Sequence, residues 1–181
     1  FGEEEILITC YRTLLSTAPN LRLAIAPRTI SRTAAIAALL QRTGLDCRRF
    51  SSTTEIGDGV MVIDTIGDLA RLYGDACIAF IGGSLVPEGG HNPLEAARQG
   101  CAILFGPYMD DFSEIAQELV GCSGALVAHT PEQLTSHMSR LLEDSDYRNQ
   151  ISDNALQFVH RHEHVIKNHL SLIKKLFPEL C

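Results

Sequence analysis

Residues 77–97 read CIAFIGGSLVPEGGHNPLEAA, and this stretch decides the fold class. Its first five residues, 77–81, are apolar, which is typical of a strand buried in a parallel sheet. Two glycine pairs then allow a tight turn and close approach to a ligand. Asn92 and Pro93 predict the cap and the first residue of a helix. A strand, a glycine loop and a helix start in this order offer backbone N–H groups to an anion, so we expect the loop to hold the phosphate and ribose of a nucleotide-activated sugar.

Helix and strand patterns alternate on both sides of this stretch. Helices are predicted at about 3–17, 31–43, 66–73, 92–99, 111–120 and from 131 to 176, and strands at 21–26, 60–63, 77–81, 101–105 and 125–128. Gly44 is the expected glycine after the second helix. This order predicts an α/β fold, a parallel sheet with helices on both faces, whose ligands bind beyond the carboxyl ends of the strands. The chain opens on a helix without Met, so we expect a fragment whose first strand is missing.

Composition excludes several classes of protein. The 181 residues suit one domain, and the net charge of −7 lacks the basic footprint of a nucleic-acid-binding protein. No apolar run reaches the roughly 20 residues that span a bilayer. The six cysteines have no paired spacing, so we interpret them as reduced, buried thiols of a cytoplasmic protein.

The sequence Asn92-Pro93-Leu94-Glu95 allows two interpretations. In a capping box, Asn92 caps the helix and Glu95 bonds back to the N–H of Asn92. In a nucleotide site, Glu95 accepts both ribose hydroxyls and the N–H groups near Asn92 face phosphate. Residues 130–133 repeat the capping pattern without any sign of function. The four glycines in front of Asn92 favour the nucleotide site, because a cap alone does not need them.

Other candidate residues follow the strands. Arg28, after Pro27, is either a partner for a phosphate or carboxylate or a solvated surface residue, and Arg32 is a similar, weaker candidate. Residues 65–68 form a second capping-box pattern, in which Gly67 indicates close backbone approach by a ligand or by a packed helix. His91 ends the glycine loop, where it either binds phosphate or is merely polar.

Three patterns suggest other chemistry and are set aside. His160 and His164 share a helix face, but no third ligand falls at metal-binding spacing, and His169 lies beyond them. The acidic pair in residues 144–146 lies between late helices, where capping explains it. Ser84 lacks the Gly-x-Ser-x-Gly turn of a hydrolase nucleophile.

Residues 80–97 resemble the signature of 3-deoxy-D-manno-octulosonic acid (Kdo) transferases. Further matches occur in the same order along the chain, at 2–5, 27–28, 64–69, 104–107 and 112–115. The resemblance implies that residues 1–181 are the C-terminal, Rossmann-like donor-binding domain of a GT-B glycosyltransferase, with 131–176 as its helical C-terminal part. The family has His where this chain has Thr29 and Tyr108.

The resemblance also implies an activity, the transfer of Kdo from CMP-Kdo onto a lipid A precursor in lipopolysaccharide biosynthesis. The family works at the cytoplasmic face of the bacterial inner membrane. Its catalytic base and its membrane-anchoring segment belong to an N-terminal domain, which this chain lacks, so we expect the chain alone to be soluble and to have little or no transfer activity. No metal, other cofactor or nucleic acid is expected as a partner.

The donor contacts implied by the resemblance are Pro27, Arg28, Thr65, Ile66, Gly67, Asn92, Pro93, Leu94 and Glu95, and the glycine loop adds Gly82, Gly83, Ser84, Gly89, Gly90 and His91. Two alternatives remain open. One is another GT-B nucleotide-sugar transferase, or an epimerase, that uses UDP. The other is a non-catalytic nucleotide-binding module.

Overall fold

A computed structural model of the chain describes residues 2–53 and 59–176, with side chains described as far as residue 162. Helices and strands alternate as predicted: α1 Glu3–Leu14, β1 Leu23–Ile25, α2 Thr33–Arg42, β2 Cys47–Arg49, β3 Val60–Val62, α3 Leu69–Asp75, β4 Ile78–Ile81, α4 Leu94–Arg98, β5 Ala102–Phe105, α5 Ser113–Gly121, β6 Ala125–Val127, α6 Pro131–Glu143 and α7 Ser145–Leu176. Predicted and observed ends differ by a few residues, and β2 is a strand that the sequence pattern did not predict. The predicted loop at 51–59 lies partly outside the described residues.

All six described strands are parallel, but they form two three-stranded sheets. The first sheet has the order β1-β3-β2, with Val60 aligned with Leu23 on one side and Cys47 on the other. The second has the order β4-β5-β6. Since parallel strands run in one direction, the segments that follow them gather at the carboxyl edge of each sheet.

The second sheet is buried on both faces, which confirms the predicted layers. Ile103 and Phe105 of β5 point into a core formed with α4, α5 and α7. Ala102 and Leu104, the alternate residues, point into a second core with α1, α6 and the start of α7. Side chains alternate across a strand, so a strand without polar positions fits only between two helical layers.

The first sheet also has helices on both sides. Val60 and Val62 of β3 pack with α1 and α2, whereas Met61 and Ile63 pack with Phe50 and α3. Helix α1 contributes to both sheets: Ile8 and Tyr11 join the core of the first, and Cys10 joins the core of the second. Helix α1 therefore packs across the two sheets.

Residues 131–176 form α6 and α7, and each begins with a side-chain cap. Thr130 Oγ1 accepts a hydrogen bond of 3.2 Å from the N–H of Gln133, and Asp144 Oδ1 accepts one of 2.9 Å from the N–H of Tyr147. The capping role predicted for Asp144 is confirmed. Among the described residues no helix combines the length and the apolar character needed to cross a membrane.

The five described cysteines are free thiols, but they are not all buried as predicted. Cys10 and Cys101 are buried, and burial raises the pKa of both thiols, that of Cys101 to about 11 with a further contribution from Cys77. Cys47 and Cys122 are half-buried, and Cys77 is exposed. Cys77 departs from the prediction because β4 begins one residue later, at Ile78.

Candidate functional site

The glycine loop after β4 packs tightly against the segment that follows β5. Gly83, Gly89 and Gly90 have φ angles of +73°, +85° and +76°, which favour glycine strongly. The N–H of Gly90 donates to the carbonyl of Gly83 at 2.9 Å and closes the loop. A Cβ on Gly90 would overlap the sulfur of Met109, and one on Gly89 would meet the carboxylate of Asp111. The close approach that we predicted for a ligand is thus made, at Gly89 and Gly90, by the chain itself.

Ser84 connects the loop to the end of β5. Its side chain is fully buried, its Oγ donates to the carbonyl of Ile81 at 2.5 Å, and the same Oγ accepts from the N–H of Gly106 at 2.8 Å. The carbonyl of Ser84 also accepts from the N–H of Tyr108 at 2.9 Å. These bonds occupy the hydroxyl of Ser84 and give it a structural role.

The loop holds an anion, and that anion is the carboxylate of Glu3. Oε2 of Glu3 accepts from the N–H of Gly83 at 2.6 Å, and Oε1 accepts from the N–H groups of Ser84 and Leu85 at 2.9 and 2.6 Å. Glu3 is 9% exposed, so this contact lies inside the protein. In the loop that we expected to hold a phosphate, the N–H groups of Gly83, Ser84 and Leu85 are therefore engaged within the chain.

The sequence did not predict this role for Glu3. Glu3, Glu4 and Glu5 occupy the first turn of α1, where a helix favours negative charge. From the sequence alone, this preference is enough to explain three acidic residues there. The acceptor and the N–H donors are about 80 residues apart in the chain. The signal that points to Glu3 is the start of α1 at the edge where β4 ends, which only the fold shows.

The helix that follows the loop leaves Glu95 available. Asn92 Oδ1 accepts from the N–H of Leu94, the first residue of α4, at 3.0 Å, and Pro93, between them, occupies the cap position with helical angles. Glu95 is exposed and forms no hydrogen bond with any described residue. Burial, with a smaller contribution from Glu95, raises the pKa of Tyr73 to about 12. The predicted box is therefore not formed among the described residues: Asn92 bonds to the N–H of Leu94 and not to that of Glu95, and Glu95 does not bond back.

A second group of candidates follows β1 and β3 of the first sheet. Pro27 is half-buried and Arg28 is exposed, and Arg28 forms no ion pair with a described residue. Arg32 pairs with Glu4, at 2.8 Å between Nη2 and Oε1. Ile66 is 88% exposed, unusual for an isoleucine.

Thr65 does not cap a helix, contrary to the prediction. Helix α3 begins only at Leu69 and has no side-chain cap, so the capping-box interpretation of residues 65–68 is wrong. Gly67 turns the chain before the helix, with φ of +94°, and a Cβ there would meet nothing within 4 Å, so helix packing does not explain this glycine. The Oγ1 of Thr65 is buried without a hydrogen-bond partner among the described atoms. A buried hydroxyl without a partner costs free energy, so this atom is suited to bind a ligand or a water.

Asp64, beside Thr65, is occupied by a loop. Its two carboxylate oxygens accept from the N–H of Ser51 at 2.8 Å and from Ser51 Oγ at 2.6 Å. These bonds, the side-chain bond foremost, lower the pKa of Asp64, so the carboxylate stays ionised at neutral pH. Asp64 holds the segment after β2 to the end of β3.

The histidines have separate surroundings. The ring of His91 lies over the loop, with its Cε1 3.3 Å from the position of a Cβ on Gly83. Nε2 of His162 is 3.4 Å from a carboxylate oxygen of Glu118. Among the described residues no group of three or more His, Cys, Asp or Glu side chains is placed to bind a metal. The side chains of His164 and His169 lie outside the described residues.

A shallow hollow elsewhere on the molecule is set apart from these groups. It has a volume of about 410 Å³ and lies between α2 and the amino end of β2, the opposite end from the candidate site. Its lining consists of three alanines, a leucine and a cysteine, with one amide and one carboxylate, those of Gln41 and Asp46. The converging polar groups of this protein lie at the carboxyl edge and not in this hollow.

The comparison with known families decides to which family the chain belongs. The sequence pattern of the family described as "Glycosyl transferases group 1" matches residues 5–158. The chain belongs to this family. All the predicted donor contacts, from Pro27 to Glu95, lie inside the matched region.

Two curated relatives have names that are more specific than the description of the family. A 3-deoxy-D-manno-octulosonic acid transferase of Haemophilus influenzae is 33% identical over 176 residues, which cover 96% of this chain and 41% of the relative. One from Rickettsia bellii is 28% identical over 180 residues, covering 97% of this chain and 43% of the relative. The chain thus spans less than half the length of these curated relatives. The predicted resemblance to Kdo transferases is confirmed.

A solved structure shows the same fold. The C-terminal CMP-Kdo binding domain of WaaA from Acinetobacter baumannii matches with a TM-score of 0.80 at 24% identity, covering 87% of this chain and 83% of that one. The predicted α/β fold, Rossmann-like and of the kind found in a GT-B C-terminal domain, is confirmed by this likeness and by the parallel strands.

Proposed function

We propose that this chain is the donor-binding domain of a Kdo transferase and binds CMP-Kdo along the carboxyl edge of its two sheets. The observation that carries the proposal is the 33% identity to the Haemophilus influenzae enzyme across 96% of this chain. Three polar groups at that edge, which have no partner among the described residues, support it. They belong to Glu95, Arg28 and Thr65.

Each of these groups suits one part of the donor. The exposed carboxylate of Glu95 accepts both hydroxyls of the ribose, as its position after Asn92 suggests. The guanidinium of Arg28 pairs with the phosphate or with the carboxylate of Kdo, in the geometry that favours arginine for both groups. The buried Oγ1 of Thr65 gains its missing hydrogen bond from the nucleotide, beside the exposed Ile66 and the open turn at Gly67.

The site binds the leaving group of the reaction. Transfer breaks the bond between Kdo and the phosphate of CMP, and negative charge accumulates on that phosphate as the bond breaks. The cation of Arg28 stabilises this charge where it develops, which lowers the barrier. The base that activates the acceptor hydroxyl belongs, by resemblance to the family, to a domain outside these residues, and we expect the 181-residue chain alone to transfer little or no Kdo.

The acceptor and the location follow from the same resemblance. We propose a lipid A precursor as the acceptor of the whole enzyme, and the cytoplasmic face of the bacterial inner membrane as its place of action. The names of the curated relatives support the reaction class.

Replacing Glu95 with glutamine tests the donor site. We expect Glu95→Gln to weaken CMP binding by roughly tenfold or more, because hydrogen bonds to a charged acceptor contribute about 1.5–3 kcal/mol. Calorimetric titration of the chain with CMP measures the change. Glu132→Gln is the matched control, since Glu132 is the second residue of α6 as Glu95 is of α4, and both are exposed.

Two other results would contradict the assignment of Glu95 to the donor site. Equal CMP affinity in the wild type, Glu95→Gln and Glu132→Gln would remove Glu95 from the site. If Glu95→Ala left CMP affinity intact and lowered only the stability, by about the 1 kcal/mol of a helix cap, the capping interpretation would be right for Glu95.

A further inference from the structure

The two halves of the proposed donor site stand on different sheets. Arg28 and Thr65 follow β1 and β3 of the first sheet, whereas the glycine loop and Glu95 follow β4 of the second. Among the described strands none pairs one sheet with the other. For a ligand to contact both halves at once, another element must therefore hold the two sheets in a fixed relative position.

The first turn of α1 contacts both halves through adjacent carboxylates. Glu3 points to the second sheet, where it accepts three hydrogen bonds of 2.6–2.9 Å from the N–H groups of the glycine loop. Glu4 points to the first sheet, where it pairs at 2.8 Å with Arg32, four residues after Arg28. The body of α1 packs into the cores of both sheets.

The hydrogen bonds between Glu3 and the glycine loop are expected to be strong. Its carboxylate is 9% exposed and accepts from three consecutive backbone N–H groups, a concave arrangement that binds anions well. Bonds to a charged acceptor are stronger than neutral ones, and a buried N–H that loses its acceptor is costly. The loop therefore keeps this internal anion in place while it presents His91 and the start of α4.

We propose that Glu3 is a positioning residue for the donor nucleotide, a resident anion that fixes the glycine loop and is not displaced by the ligand's phosphate. Glu4, through Arg32, fixes the segment after β1 in the same way. The inference rests on the proposed CMP site and adds the element that aligns its two halves. It also moves the phosphate away from the N–H groups of Gly83, Ser84 and Leu85.

Small-carboxylate rescue of an alanine variant tests the proposal. Glu3→Ala removes a fragment the size of acetate, so we expect CMP affinity of the 181-residue chain to fall at least about tenfold and to recover in part when acetate is added. Wild type gains nothing from acetate. Glu5→Ala is the matched control, because Glu5 is an exposed carboxylate in the same helical turn, and its CMP affinity stays within about twofold of wild type.

Tighter CMP binding by Glu3→Ala would overturn the proposal, since it would mean that Glu3 blocks a phosphate site. Unchanged affinity would overturn it as well. Acetate rescue separates a positioning role from a general loss of structure, because an unfolded variant does not regain affinity from acetate. Circular dichroism of each variant establishes that it is folded.

A spectroscopic readout keeps the test independent of CMP. Amide protons of Gly83, Ser84 and Leu85 that bond to a carboxylate resonate downfield, and we expect them to move upfield and exchange faster in Glu3→Gln, in which an amide NH₂ replaces one acceptor oxygen. Unchanged shifts and exchange would overturn the inference. If wild type binds no CMP while these amides respond, the proposed function fails and the role of Glu3 in holding the loop stands.

Discussion

Gly106→Ala destabilises the chain by about 3 kcal/mol or more, because there is no room for a methyl group where the loop after β4 meets the end of β5. A Cβ on Gly106 would overlap the carbonyl group of Ser84 and lie 2.6 Å from the N–H nitrogen of Leu85. Both neighbours are backbone and cannot rotate away. Ser84 is also hydrogen-bonded to Gly106 and Tyr108, so the strain spreads into the glycine loop. Urea unfolding followed by circular dichroism measures the loss.

Gly121→Ala is the control for this prediction. Gly121 ends α5, is exposed and has nothing within 4 Å of its Cβ position. Alanine is the better helix former, so this variant should match wild type or be more stable by up to about 1 kcal/mol. Equal unfolding midpoints for Gly106→Ala and Gly121→Ala would show that the two segments are not in backbone contact.

Leu104→Ala should cost about 3–4 kcal/mol, within the range for a fully buried leucine. Leu104 lies in the central strand of the second sheet, has no exposed surface and packs with Cys10 of α1 and Leu134 and Leu141 of α6. The cavity would open under the helix that carries Glu3. The same urea experiment measures it.

Val120→Ala provides the comparison for Leu104. Val120 is 42% exposed on α5, so its truncation should change stability by no more than about 0.5 kcal/mol. A loss below about 1 kcal/mol for Leu104→Ala would mean that the layer between α1, α6 and β5 is loosely packed, contrary to its burial.

The elements were predictable because local residues mark their ends. Gly44 follows α2 with φ of +74°, and the N–H of Leu45 bonds back to the carbonyl of Leu40, as expected for a glycine that ends a helix. The apolar residues before Gly82 and Gly106 gave β4 and β5 for the same reason. β2 was missed because Arg48 and Arg49 are exposed and give the segment no apolar pattern.

Similar capping patterns behaved differently in different places. Thr130 caps α6, but Thr65, in a comparable pattern, does not cap α3. The turn at Gly67 separates Thr65 from the helix and leaves its hydroxyl buried without a partner. A sequence pattern fixes which residues are near one another in the chain and not the backbone direction between them.

The sequence predicted which edge of the sheets carries the candidate residues, but it did not predict their contacts. Residues at the ends of β1, β3 and β4 were placed correctly at the carboxyl edge, since parallel strands require it. The bonds from Glu3 to the glycine loop were not predictable. They join segments about 80 residues apart, and their donors are backbone N–H groups that every residue except proline has.

The most direct test of the account is calorimetric titration of the 181-residue chain with CMP and with UMP. Cytosine and uracil differ in an exocyclic amine and a ring N–H, so a site built for one leaves polar groups unpaired with the other, at about 1–3 kcal/mol. We expect CMP to bind, and UMP to bind at least roughly tenfold more weakly than CMP or not at all. Equal or tighter binding of UMP would contradict the CMP-Kdo donor site in favour of a UDP-sugar enzyme, and binding of neither would contradict a nucleotide site in these residues.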